Sequence, residues 1–120
     1  MDLIINHVAD FYCRYPGESV TFYTRLEAVK KLPRYSLRIS LPAEIAVEDY
    51  RAPAGYDHAL PYLEIGAGVN YLTWKVEEGT PAGTVYEYQT RIIIPPTAVD
   101  MLVESQATVE AGSGKARVTG

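Results

Sequence analysis

A single cysteine, Cys13, stands in 120 residues, so no intrachain disulfide can form and the redox compartment leaves no mark on the chain. No apolar run is long enough to cross a bilayer as a helix, and direct membrane insertion is not expected. Basic surplus is missing too. Eleven Lys and Arg stand against fifteen Asp and Glu, for a net charge of −4. Nucleic-acid binders usually carry excess positive charge, so nucleic acid is not an expected partner; the mild acidity serves solubility. The opening MDLIINHVAD has Asp2 where a secretory leader carries basic residues, and its apolar run is short. The expectation is a cytoplasmic protein or a piece of a longer chain.

Catalytic and metal-binding patterns are equally thin. Only Cys13 with His7 suggests a nucleophile and base, with Asp10 between them in sequence. No oxyanion motif or strained elbow accompanies them, and a buried free thiol is the commoner state. His7, His58, Asp10, Asp57 and Cys13 match no metal-ligand spacing. Residues 48–50 (EDY) and 56–58 (YDH) bring carboxylates and an imidazole to one loop region, where solvated charge outweighs a weak Ca²⁺ site. The two glycines of GAGVNYL (66–72) lead into a strand, whereas a phosphate-cradling loop opens a helix. Glu77 and Glu78 point to opposite sides if extended, a poor acid–base couple. The expectation is a non-enzyme with no cofactor and no metal.

What is present is alternation with a period of two. LII (3–5) reads as a short first strand. In ESVTFYTRL (18–26), Val20, Phe22, Thr24 and Leu26 share a face opposite Thr21, Tyr23 and Arg25. YSLRISL (35–41) places Leu37, Ile39 and Leu41 together, and Pro42 stops it because it has no N–H for a ladder. AEIAVEDY (43–50) reads as a strand or a helical turn. YLEI (62–65) is a short strand candidate. NYLTWKV (70–76) turns Leu72, Trp74 and Val76 one way. TVYEYQTRIII (84–94) turns Tyr86, Tyr88, Thr90, Ile92 and Ile94 one way and runs into two prolines. ESQATVEA (104–111) and KARVT (115–119) flank GSG as a closing hairpin. RLEAVKKL (25–32) has helix formers for two turns before Pro33. Seven or eight strands with turn signals every 8–12 residues point to an Ig-like antiparallel β-sandwich, a single domain over residues 1–120. Its expected core is Val20, Phe22, Leu26, Leu37, Ile39, Leu41, Leu72, Trp74, Val76, Ile92 and Ile94.

The order of these segments resembles the bacterial and archaeal Ig-like repeat known as DUF11. PGESVTFYTRL (16–26) is similar to that family's Pro-Gly turn and alternating strand, and LRISLPAEIAVED (37–49) to its strand ending in Leu-Pro. YLTWKV (71–76) resembles its Trp strand, PAGTVYEYQTRIII (81–94) its Ala-Gly turn and long strand, and ESQATVEA its closing strand. The family's frequent Asn-Gly pair is replaced here by AVKKLPRY (28–35), its frequent Asp before Leu-Pro by Ile39, and the loop over residues 51–61 is enlarged. The resemblance implies a seven-stranded sandwich, a structural or adhesive repeat with no catalytic residues, and a cell-surface setting if the chain belongs to a longer protein.

Ten tyrosines are the compositional oddity. Tyr and Arg dominate protein–protein hot spots, which makes Phe11, Tyr12, Arg14, Tyr15, Tyr23, Tyr56 and Tyr71 candidate interface residues. Leu3, Ile4 and Ile5 join them, because a short terminal strand can add to a neighbour's sheet edge. The expected partner is protein, self-association by strand addition included. The alternative function is carbohydrate or ligand binding, with Tyr56, Tyr62 or Tyr71 as a stacking surface.

Overall fold

The computed structural model describes residues 3–10, 15–53, 60–96, 103–111 and 114–119. All regular structure among them is β, in nine strands: β1 (Leu3–Ala9), β2 (Ser19–Ala28), β3 (Tyr35–Pro42), β4 (Ala46–Arg51), β5 (Tyr62–Ile65), β6 (Val69–Val76), β7 (Val85–Ile93), β8 (Gln106–Ala111) and β9 (Gly114–Thr119). They form two antiparallel sheets, ordered β1-β2-β7-β4 and β5-β6-β3-β8-β9. The count exceeds the expected seven or eight because β4 and β5 are both strands; β1 also runs on to Ala9.

In chain order, the first sheet reproduces the A-B-E-D order of an immunoglobulin sandwich and β9-β8-β3 its G-F-C order. The β5–β6 hairpin is inserted between the D- and E-equivalent strands and added beside β3. The enlarged loop over residues 51–61 is the step from β4 in one sheet to β5 in the other. No helix forms at residues 25–32. Leu26 and Ala28 continue the inward alternation of β2, and Leu32 is buried in an isolated bridge to Thr80. Helix propensity of a few tenths of a kcal/mol per residue loses to this ladder and its burial. The turns use glycine where the backbone demands it: Gly17 and Gly83 both sit at φ +85°.

Inward alternation builds two apolar clusters. The larger gathers Leu26, Leu37, Ile39, Leu72, Trp74, Val76, Tyr88 and Val109, together with Leu3 and Ile5 of β1. The smaller holds Val20, Phe22, Leu41, Ile45 and Ile92, with Ile94 only half-buried against it. Ile94 lies one residue past the end of β7. A polar seam of His7, Thr24, Thr90 and Ser105, all buried, lies between the clusters in the strand patterns.

Among the described residues, the buried Thr90 hydroxyl has no hydrogen-bond partner. Replacing an unsatisfied hydroxyl with a methyl of the same shape removes a desolvation cost. Thr90→Val is therefore expected to stabilise the fold by about 1 kcal/mol, read as a raised denaturant midpoint with an unchanged slope. A lowered midpoint would show that the hydroxyl is satisfied.

Candidate functional site

The seam holds the most enzyme-like geometry. His7 Nε2 lies 2.9 Å from Ser105 Oγ, and Nδ1 lies 2.7 Å from Thr24 Oγ1. The imidazole stacks on Phe22, with centroids 5.2 Å apart and planes at 11°. A hydroxyl, an imidazole and an orienting group in line resemble a nucleophile–base–orienter set. Yet all three side chains are buried, and burial lowers the His7 pKa from 6.5 to about 4. An imidazole so disinclined to accept a proton is a weak base at neutral pH. The trio acts as a polar clamp, tying β1 and β2 to the segment that enters β8. Sequence reasoning missed Ser105, 98 residues from His7. Continuing the Leu3–Ile5 alternation by one step would have put His7 on the core face. Cys13 lies outside the described residues.

Metal-binding candidates disperse. Glu48 and Asp49 face Arg91, at 3.3 Å and 3.4 Å, and Ser19 donates to Glu48 at 2.6 Å. Asp57 and His58 lie outside the described residues, among which no group of three or more His, Cys, Asp or Glu is placed to hold a metal. No helix of the described residues is long and apolar enough to cross a membrane.

The interface candidates do not converge on one site. Leu3 and Ile5 turn their side chains into the core, so of these two residues only the backbone is left for a partner strand. The first strand pairs with β2 on one side, from Leu3↔Ala28 to Ala9↔Phe22, and stands at the end of its sheet; alternate residues must turn inward. Only Ile4 of the three is exposed, on the outer face of the four-stranded sheet, with half-buried Tyr23 on the same face. Tyr15 sits 79% exposed beside the Pro16–Gly17 turn at one end of the sandwich. Phe11, Tyr12, Arg14 and Tyr56 lie outside the described residues.

Tyr71 belongs to the outer face of the five-stranded sheet, and there the structure organises a surface. Strand order β5-β6-β3 brings Glu64, Tyr71, Thr73 and Arg38 together. The Arg38 guanidinium donates to Glu64 at 3.2 Å, and the Thr73 hydroxyl donates to the same carboxylate at 2.8 Å. Arg38 also lies over the Tyr71 ring and Lys75 over the Tyr62 ring, each 5.6 Å from the centroid. A shallow groove continues past Arg38 and Tyr71 to Ser40, Gln106 and Thr108, where the Gln106 N–H donates to Ser40 Oγ at 2.9 Å. Sequence reading missed Arg38, Glu64 and Lys75, because only the strand order makes them neighbours.

Beside this face runs β5, an edge strand. Leu60, Leu63 and Ile65 are 72%, 50% and 83% exposed. Leu63 pairs in register with buried Leu72, so it turns toward the core side of the sheet, yet it is half-exposed there. Of the other edges whose side chains are described, β4 carries Glu48, Asp49 and Arg51 and a register shift between Val47 and Asp49, while β1 carries no charge and exposes Ile4 and Val8. Charge and bulge are the usual guards of a sheet edge; β5 has one charge, Glu64, already bound inward by Arg38 and Thr73.

No protein-family model and no curated protein matches the chain. Solved structures do resemble it. AvmM, described as catalysing macrocyclization in alchivemycin A biosynthesis, superposes with a TM-score of 0.61 at 10% identity, over 98% of this chain and 87% of that one. A DUF4466 family protein from Parabacteroides merdae gives 0.55 at 14% identity over 98% and 42%. A GH20 exo-β-N-acetylglucosaminidase from Vibrio harveyi gives 0.52 at 10% identity over 99% and 17%. These likenesses are of fold, and one sandwich hosts many unrelated functions.

Proposed function

We propose that the chain is a non-catalytic association module, a divergent DUF11-like sandwich that binds other protein chains through the β5 side of its five-stranded sheet. The carrying observation is the union of the Arg38–Glu64–Thr73–Tyr71 surface with the unguarded apolar edge of β5. Arg and Tyr held in place by their neighbours lose little side-chain freedom on binding, which suits them to the centre of an interface. Exposed Leu and Ile at the flank add apolar area to be buried there. A sugar platform is less well served, because the Tyr71 and Tyr62 rings each already bear a cation on one face.

Capture by the immobilised protein tests this reading, with the Arg38→Ala/Tyr71→Ala double variant in parallel. A protein retained by the wild type is expected to fall at least about tenfold on the variant, the scale set by losing two anchors. Equal retention on both, or glycan-array binding that the double variant abolishes, would overturn it.

A further inference from the structure

We propose that β5 pairs antiparallel with β5 of a second copy about a two-fold axis, residue 63 opposite residue 63, joining the two five-stranded sheets into one of ten strands. This rests on the association reading above and names one of the partners as a second copy of this chain.

The backbone sets the first condition. The Gly66 N–H donates to the Val69 carbonyl at 2.8 Å in the turn that closes the hairpin. Hydrogen-bonded and non-bonded pairs alternate along an antiparallel ladder. Gly66, Glu64 and Tyr62 therefore turn their backbone groups toward β6, while Leu63 and Ile65 turn theirs to the open edge. Those N–H and C=O groups call for a strand rather than a helix or a small molecule.

The side chains set the second condition. A two-fold axis normal to the sheet keeps inner faces with inner faces and outer with outer. Edge-directed residues must then meet edge-directed residues, so only pairings centred on residues 62, 63, 64 or 65 remain, and centring on 62 sets each Leu63 against Pro61, which has no N–H to give the ladder. Centring on 64 sets Glu64 against Glu64 of the second copy, and like charges directly opposite are destabilising. Centring on 65 pushes Leu63 against the turn that follows Ile65. Centring on 63 sets each Tyr62 phenol opposite the other copy's Glu64 carboxylate, a donor facing an acceptor twice. On the core side it lays Leu63 on Leu63 and brings each Ile65 beside Pro61. Pro61 costs one ladder bond in each copy, which a position at the start of a strand tolerates. The strand thus complements itself in shape, polarity and charge, as an isologous contact requires.

Four residues make a small interface, so a weak, concentration-dependent dimer is expected. Light scattering on the intact chain should show mass rising toward twice 13.3 kDa as concentration increases. Leu63→Lys should weaken the dimer at least tenfold and leave the circular dichroism spectrum unchanged. In a Cys13→Ser background, Leu63→Cys should oxidise rapidly to a covalent dimer, because directly opposed residues lie within disulfide reach; Glu64→Cys should not. A monomer at every concentration, a dimer indifferent to Leu63→Lys, or preferential cross-linking at position 64 would each overturn the pairing. The capture experiment is read with other proteins as the prey, so a monomer that still captures one through Arg38 and Tyr71 sinks the self-pairing alone.

Discussion

Trp74→Ala is expected to remove a large share of the chain's stability. The indole is fully buried and touches both sheets. Its centroid lies 5.1 Å from that of Tyr88 in β7 and 5.7 Å from that of Tyr50 in β4, the latter edge-on. On its own sheet it pairs in register with Leu37. Truncating a buried Trp costs about 3–5 kcal/mol, against a total of about 5–15 kcal/mol for a domain. A denaturant midpoint lowered by the corresponding amount would record the effect. Trp74→Phe keeps most of the ring and should place the midpoint between those of the alanine variant and the wild type. The wild type offers its own probe, since Trp74 is the only tryptophan: its emission should shift to the red in one step with unfolding. An alanine variant within about 1 kcal/mol of the wild type would mean the two sheets do not meet on this ring.

Mild acid should weaken the fold through His7. Burial holds the His7 pKa near 4 in the folded chain, against 6.5 for the free side chain. Between those values the unfolded state binds more protons, so stability rises with pH. The neutral imidazole's contribution is complete above pH 6.5 and is lost as pH falls toward 4. The shift corresponds to about 3 kcal/mol in full, with about 2 kcal/mol already gone at pH 5. Denaturant midpoints at pH 7.5, 6.5, 5.5 and 5 would show the decline. His7→Leu lowers stability at pH 7.5, because it strands the Thr24 and Ser105 hydroxyls, but it should flatten the profile between pH 6.5 and 5. A His7→Leu profile as steep as the wild type's would assign the acid sensitivity elsewhere.

The sandwich was largely legible because burial follows a two-residue period that a sequence displays directly. Leu37, Ile39 and Leu41 had to share a face whatever they paired with, and Trp74 between Leu72 and Val76 had to follow them inward. The first strand was read too short because His7 breaks the apolar pattern; only Thr24 and Ser105, from distant segments, make a buried imidazole affordable. The association surface was the least legible part. Arg38, Glu64 and Tyr71 sit on three strands whose order nothing local dictates, since β4 intervenes in the chain and leaves for the other sheet. That β5 would be an edge with its inner side uncovered followed from the same crossover. The tyrosines, read as one compositional signal, serve several ends: Tyr35 and Tyr88 meet in the core with hydroxyls 3.0 Å apart, while Tyr62 and Tyr71 hold cations outside.

The strand order also dictates a schedule for biosynthesis. The central ladders join residues that emerge far apart in time: β2 waits for β7, with Val20 opposite Ile92, and β3 waits for β8, with Leu37 opposite Val109. At about 5–20 residues per second, a nascent chain that has released β1 and β2 holds an alternating apolar strand for several seconds before its second partner exists. During that interval β5 and β6 can close as a local hairpin, as β1 and β2 have before them, so both sparsely charged edges, β1 and β5, form early on the ribosome. Neighbouring ribosomes on one message bring such hairpins close together, and a chaperone that covers residues 60–65 until β7 and β8 arrive would protect the chain at its most exposed moment.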